Sequence, residues 1–173
     1  REIMSAALDL EGGLNVAYLG PAGTHTHQAA VERFGQNVTY APCTDFAEVF
    51  SLVEKGAAQY GIVPIENSRE GSVHAVQDLL TETPLKICSE SYMKIHQNLM
   101  GKSPIEKITR VYSHPQALGQ CAQWLRNNIP HAELVAISST AAAAHKAGSE
   151  EGSAAVGSRM AAELEDLNLI AED

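Results

Sequence analysis

Five short stretches of this chain carry residues able to do chemistry: Gly20-Pro21-Ala22-Gly23-Thr24, Glu66-Asn67-Ser68, Ser113-His114-Pro115-Gln116, Ser138-Ser139-Thr140 and Gly157-Ser158. They are rich in hydroxyls, carboxamides and glycine. Each follows a short apolar run and leads into apolar residues at helical spacing. Helix N-termini favour anions by roughly 0.3–1 kcal/mol each, so such junctions suit a small carboxylate held by backbone N–H groups and oriented by side chains. Any one of them reads equally well as an ordinary capped connection; the repetition is what points to a site. No nucleophile–base pair stands out, since the adjacency of Ser113 and His114 does not make a dyad.

The elements that must position these residues follow from the pattern. Around the second stretch, Ile62, Val63 and Ile65 predict a buried, central parallel strand. It breaks at Glu66-Asn67-Ser68, and Val73, Val76 and Leu80 then predict a helix capped by Ser72. Val16 to Leu19 and Val38 to Tyr40 predict strands, with a helix from Thr26 to Phe34 between them. Asp45-x-x-Glu48 starts a helix whose Phe46, Val49, Phe50 and Val53 face a core, and Gly56 ends it. Ile87 to Leu99 reads as a long strand linking two lobes. Beyond it the pattern recurs: strands at 108–112, 134–137 and 154–156, each followed by a polar turn and a helix, and a last strand at 167–171. Pro115 suits a first helical turn, where its missing N–H would be unpaired anyway. Trp124 reads as packing.

Composition narrows the function. With 173 residues, 45% of them apolar and 19% charged, the chain can bury a core. A net charge of −9 without a basic cluster argues against nucleic acid. No apolar run approaches the ~20 residues a membrane span needs, and no signal-peptide core is visible, so a cytoplasmic protein is expected. Cys43, Cys88 and Cys121 form no Cys-x-x-Cys pair and read as buried thiols. His25 and His27 lack the spacing of a metal pair, so no metal is expected.

These observations predict an α/β fold of two lobes with small, mainly parallel sheets and a ligand cleft between them. The first lobe is expected over residues 14–86 plus 165–173 and the second over 87–164. Residues 1–13, with Ile3, Met4, Ala7 and Leu8 at helical spacing, read as the end of a separate helix stopped by Gly12-Gly13.

Three stretches taken together resemble the prephenate dehydratase family: Gly20-Pro21-Ala22-Gly23-Thr24; Pro64-Ile65-Glu66-Asn67-Ser68 with Gly71 and Asp78-Leu79-Leu80; and Ser113-His114-Pro115-Gln116 with Gln120-Cys121. Ser139-Thr140-Ala141 and Gly157-Ser158 fit in order and spacing, so the likeness runs from about residue 14 to the end. Arg1 to Ser5 looks like the tail of the chorismate mutase domain that precedes the dehydratase in bifunctional P-proteins. The resemblance implies a fold like type II periplasmic binding proteins and conversion of prephenate to phenylpyruvate in phenylalanine biosynthesis. It implies no cofactor. It casts Asn67, Ser113 and Gln116 as catalytic groups, with Thr24, Glu66, Ser68, His114, Ser139, Thr140, Gly157 and Ser158 binding substrate.

Two departures shape what the resemblance implies. His25 stands where the family usually carries an aromatic residue. The family's Thr-Arg-Phe motif, whose threonine is its favoured proton donor, is expected soon after Asp173, and the phenylalanine-binding ACT domain beyond that. The 173 residues are therefore expected to turn over poorly alone, with any effector site outside them, and a homodimer is implied. The competing expectation is a non-catalytic two-lobed module that captures a small carboxylate metabolite.

Overall fold

The structure, a computed structural model, describes residues 13–68 and 71–172. The helix end expected over residues 1–12 lies outside them. The chain divides into two compact units: one runs to Pro21 and from His25 to Met93, the other comprises Ala22–Thr24 and the chain from Lys94.

The first unit is built on a three-stranded parallel sheet of β1 (Asn15–Leu19), β2 (Thr39–Cys43) and β3 (Tyr60–Ile62), in the order β2-β1-β3. Its helices are α1 (His25–Phe34), α2 (Phe46–Glu54) and α3 (His74–Glu82). Val16, Ala17 and Tyr18 of β1 are buried, as expected of a strand paired on both sides. β2 covers residues 39–43 rather than 38–40. The α2 start is as the sequence predicts: Asp45 caps it, its carboxylate accepting from the Glu48 N–H at 2.8 Å. The Glu48 carboxylate reaches back to the Thr44 N–H at 2.6 Å. Val49 and Phe50 are buried, and Gly56, at φ +72°, follows the helix.

The stretch expected to be central is not. Among the described residues β3 pairs only with β1, and Ile65 is 47% exposed. Glu66-Asn67 forms β4 (Glu66–Asn67), paired antiparallel with β5 (Gly71–Ser72), so this junction is a small hairpin and not a strand-to-helix turn. Ser72 is thereby taken into β5, and Val73 occupies the N-cap of α3 without a side-chain hydrogen bond. The polar run that stops the apolar strand finds a partner four to six residues on, a local pairing that single-strand periodicity does not encode.

The second unit holds a five-stranded sheet in the order β10-β6-β9-β7-β8: β6 (Asn98–Gly101), β7 (Arg110–Ser113), β8 (Glu133–Ala136), β9 (Ser153–Gly157) and β10 (Asn168–Ala171). β7 runs parallel to β8 and β9, while β6 is antiparallel to β9 and to β10. Its helices are α4 (Pro115–Asn128), α5 (Thr140–Ser149) and α6 (Arg159–Leu164). Side chains alternate across the sheet. Leu99, Val111, Ala154 and Val156 pack with Leu118 and Leu125 of α4. Met100, Tyr112 and Ala155 pack with Ala143, Ala144 and Ala147 of α5 and Ala161 and Ala162 of α6. Burial on both faces explains the continuous apolar runs, each large side chain contributing roughly 1.5–3 kcal/mol.

Five expectations are corrected here. The last strand, β10, lies in the second unit's sheet, so the stretch from 165 does not return to the first lobe. The reason is two-sided: Leu167 and Leu169 join one core cluster while Ile170 and Ala171 join the other. Nor does the division fall at 86/87, and Ala22–Thr24 groups with the second unit. Only residues 98–101 of the expected long linking strand are strand; residues 85–97 lie outside any helix or strand, and Tyr92 is 93% exposed. Of the cysteines only Cys43 is buried, Cys88 being exposed, and Trp124 is itself exposed.

Candidate functional site

In the second unit, register brings the chemistry-bearing residues to one sheet edge. Ser113 pairs with Ala136, and Asn98 with Gly157, so the C-terminal ends of β7, β8 and β9 and the start of β6 share that edge. α4, α5 and α6 all begin there, which aims their first N–H groups at it.

Each turn is built by a different device. His114 is the N-cap of α4: its Nδ1 accepts from the Gln116 N–H at 3.3 Å, and Pro115 occupies the first turn as expected. Gln116 is thereby fixed in that turn and half-buried. Ser113 is fully buried, and its hydroxyl donates to the Val156 carbonyl of neighbouring β9 at 2.7 Å. Ser139 caps α5, accepting from the Ala142 N–H at 3.0 Å, with Thr140 as the first helical residue. Gly157 approaches Thr140 closely: a Cβ at Gly157 would lie 3.2 Å from that of Thr140, a tight contact that glycine avoids. Ser158 caps α6, accepting from the Ala161 N–H at 3.0 Å while donating to the Gly23 carbonyl at 2.7 Å. That contact holds the loop containing Thr24 within this unit.

The sequence reading does not single out two further polar residues of this edge, Gln97 and Asn98. Asn98 is 3% exposed, and its Nδ2 donates to the Gly157 carbonyl at 3.3 Å. Gln97 Nε2 donates to Gln120 Oε1 at 3.3 Å, while Gln97 Oε1 is shielded without a partner among the described residues. The only sequence signal was a polar pair, Gln97-Asn98, interrupting an apolar run.

Glu66, Asn67 and Ser68 belong to the first unit. Asn67 is half-buried in β4, opposite Gly71, whereas Glu66 and Ser68 are exposed. At the start of α1, His25 Nε2 is shielded from solvent without a partner among the described residues, and burial pushes the His25 imidazole below its usual range. His27 stacks on Tyr18 at 4.6 Å between ring centroids and meets Tyr40 edge-on at 5.5 Å, and burial lowers it too. Packing rather than metal ligation accounts for it. Among the described residues no group of three or more His, Cys, Asp or Glu is arranged to hold a metal ion, and no helix is long and apolar enough to cross a membrane.

A family model described as prephenate dehydratase matches residues 16–173. A bifunctional chorismate mutase/prephenate dehydratase of Pseudomonas aeruginosa is 46% identical over 174 residues, which cover 99% of this chain and 48% of that protein. The chain thus spans about half the length of the curated relatives it matches. A prephenate dehydratase from Arthrobacter aurescens, solved in complex with L-Phe, superposes with a TM-score of 0.84 at 33% identity, covering 92% of this chain and 55% of that one. A second solved structure, GqqA, described as a novel type of quorum quenching acylase, superposes with a TM-score of 0.82 at 28% identity, covering 91% of this chain and 58% of that one.

Proposed function

Because the chain belongs to the prephenate dehydratase family, we propose that it carries the decarboxylative dehydration of prephenate to phenylpyruvate, a carbon–oxygen lyase step of phenylalanine biosynthesis. The observation that carries the reading is the shared edge of the second unit. There α4 and α5 start from adjoining strand ends among hydroxyls and carboxamides. Such an edge suits a dianion without a cluster of arginines.

The reaction breaks the bond between the ring and its carboxylate. The electron pair moves into the ring as the hydroxyl at the opposite carbon departs, taking up one proton to leave as water. Aromatisation supplies the driving force. The protein's part is to hold the diacid, keep the ring carboxylate poised to leave as carbon dioxide, and assist departure of hydroxide. Asn67 and Gln116 offer amide N–H groups for these tasks, and donors aimed at developing charge typically give the largest catalytic term. Ser113, whose hydroxyl donates to the Val156 carbonyl, fixes the β7–β9 edge from which α4 starts. His114, Ser139, Thr140 and Gly157 line the second unit's edge, Glu66 and Ser68 flank Asn67, and Thr24 follows Gly23, whose carbonyl accepts from Ser158.

We place the chain in a cytoplasmic, homodimeric P-protein whose phenylalanine effector acts outside these residues. We infer that the proton donor lies outside the residues named here. The test is turnover of prephenate, read as ultraviolet absorption of phenylpyruvate, by this chain and by the chain extended past Asp173, with calorimetry against both compounds. Tight prephenate binding with turnover only in the extended chain supports the assignment. Equal turnover refutes the placement of the acid, and binding without turnover in either leaves a carboxylate-binding module. Acyl-bond hydrolysis, suggested by the GqqA likeness, is disfavoured because the buried hydroxyls of Ser113 and Ser158 both donate to backbone carbonyls, and neither is bonded to a base.

A further inference from the structure

Ser158 has both ordinary roles of its hydroxyl taken, as acceptor from Ala161 N–H and as donor to the Gly23 carbonyl. It is 1% exposed. Gly23 is itself buried at φ +86°, and a Cβ there would lie 3.2 Å from Ala161 Cα and 3.3 Å from Ala161 Cβ. Two independent features, a hydrogen bond and a close backbone approach, therefore dock the segment Ala22–Thr24 against the start of α6. The segment's grouping with the second unit agrees. The peptide joining Gly23 to Thr24 is planar, so fixing the Gly23 carbonyl also fixes the direction of the Thr24 N–H and the place of its Cα.

We propose, resting on the dehydratase reading above, that Ser158 is a positioning residue: it sets Thr24 for the substrate through the Gly23 carbonyl and does not itself touch the substrate. This changes the role expected from its motif, in which Ser158 lines the pocket. A seryl hydroxyl carries one proton, and that proton is already committed to Gly23.

The test measures hydrogen exchange across 19–25, prephenate affinity and, in the extended chain, kcat and KM. The proteins are the wild type, Ser158→Ala, Thr24→Val, the double variant and Asp45→Ala, which loses an unrelated helix cap. Loss of the Gly23 hydrogen bond should speed exchange at 22–24 by about tenfold in Ser158→Ala and not in Asp45→Ala. Prephenate affinity should fall about tenfold, and the double variant should be no weaker than the worse single variant within about twofold, as for two residues acting through one contact. Additive losses would show that Ser158 meets the ligand directly, and unchanged exchange would show that it does not hold the loop; either overturns the proposal. Should Ser158→Ala fail to fold, Gly23→Ala displaces the same segment while keeping the hydroxyl, and unchanged prephenate binding in it also overturns the proposal. Failure of the wild type to bind prephenate would defeat the dehydratase reading instead, while the exchange comparison still decides whether Ser158 holds the loop.

Discussion

The hydroxyl of Ser113, at the end of β7, donates to the carbonyl oxygen of Val156 on β9 at 2.7 Å, and both residues are shut off from solvent. A serine that composition would offer as a reactive group is spent on joining two strands. Ser113→Ala removes the donor and leaves the buried carbonyl one partner short. The expected loss is about 1–2 kcal/mol of stability, read as a lower urea midpoint at unchanged slope. An unchanged midpoint would show that the hydrogen bond contributes nothing net.

Asn67 is a half-buried carboxamide of the first unit, in β4. Asn67→Leu keeps the size while removing both donor and acceptor. In a chain competent for turnover, kcat should fall roughly 10²–10³-fold, as for loss of one donor aimed at developing charge. A fall in affinity alone, with kcat preserved, would assign Asn67 to uniform binding.

Gly61, in β3, faces α2 so closely that a side chain there would force Val49 to shift. A Cβ there would sit 2.9 Å from Val49 Cγ1 and 3.2 Å from Val53 Cγ2. Gly61→Ala should cost about 1–3 kcal/mol by overpacking the first unit. Relief by Val49→Ala in a double variant would confirm the contact as the cause.

Acid should weaken the first unit through its histidines. Burial holds His25 and His27 below the usual 6.5. As pH falls from 6.5, the unfolded chain takes up these protons first. The contribution is therefore full above pH 6.5 and is lost as pH drops through the depressed folded values. His27→Phe, which keeps a ring against Tyr18, should flatten the fall in melting temperature between pH 7 and pH 5 on the order of half. An identical pH profile would show that His27 does not titrate with unfolding.

Glu150 collects hydrogen bonds from Tyr112 Oη at 2.9 Å, from Arg110 and, as an ion pair at 3.3 Å, from Lys146. Tyr112 first, then Arg110, hold its carboxyl below the usual 4.5. Tyr112→Phe should move the Glu150 midpoint upward, measurable by carboxyl-carbon NMR titration. With the carboxylate's folded value depressed, its support is present above 4.5 and disappears as pH falls through that lower value.

The sequence by itself determined most of the helices and several of their starts, though not that of α3, where Val73 takes the N-cap expected of Ser72. Asp45 and Glu48 start α2, His114 and Pro115 start α4, and Ser139 and Ser158 cap α5 and α6 where the hydroxyls stand, because capping and helical spacing act within a few residues. Tertiary structure decided what each polar group is for and which sheet each strand enters. Glu66-Asn67 folds into a hairpin, β10 joins β6, the proton of Ser113 goes to Val156, and that of Ser158 goes to a carbonyl 135 residues away in the chain. The physical reason is that strand pairing and buried hydrogen bonds are settled by which groups meet after long loops close. Periodicity records only which face of an element is apolar.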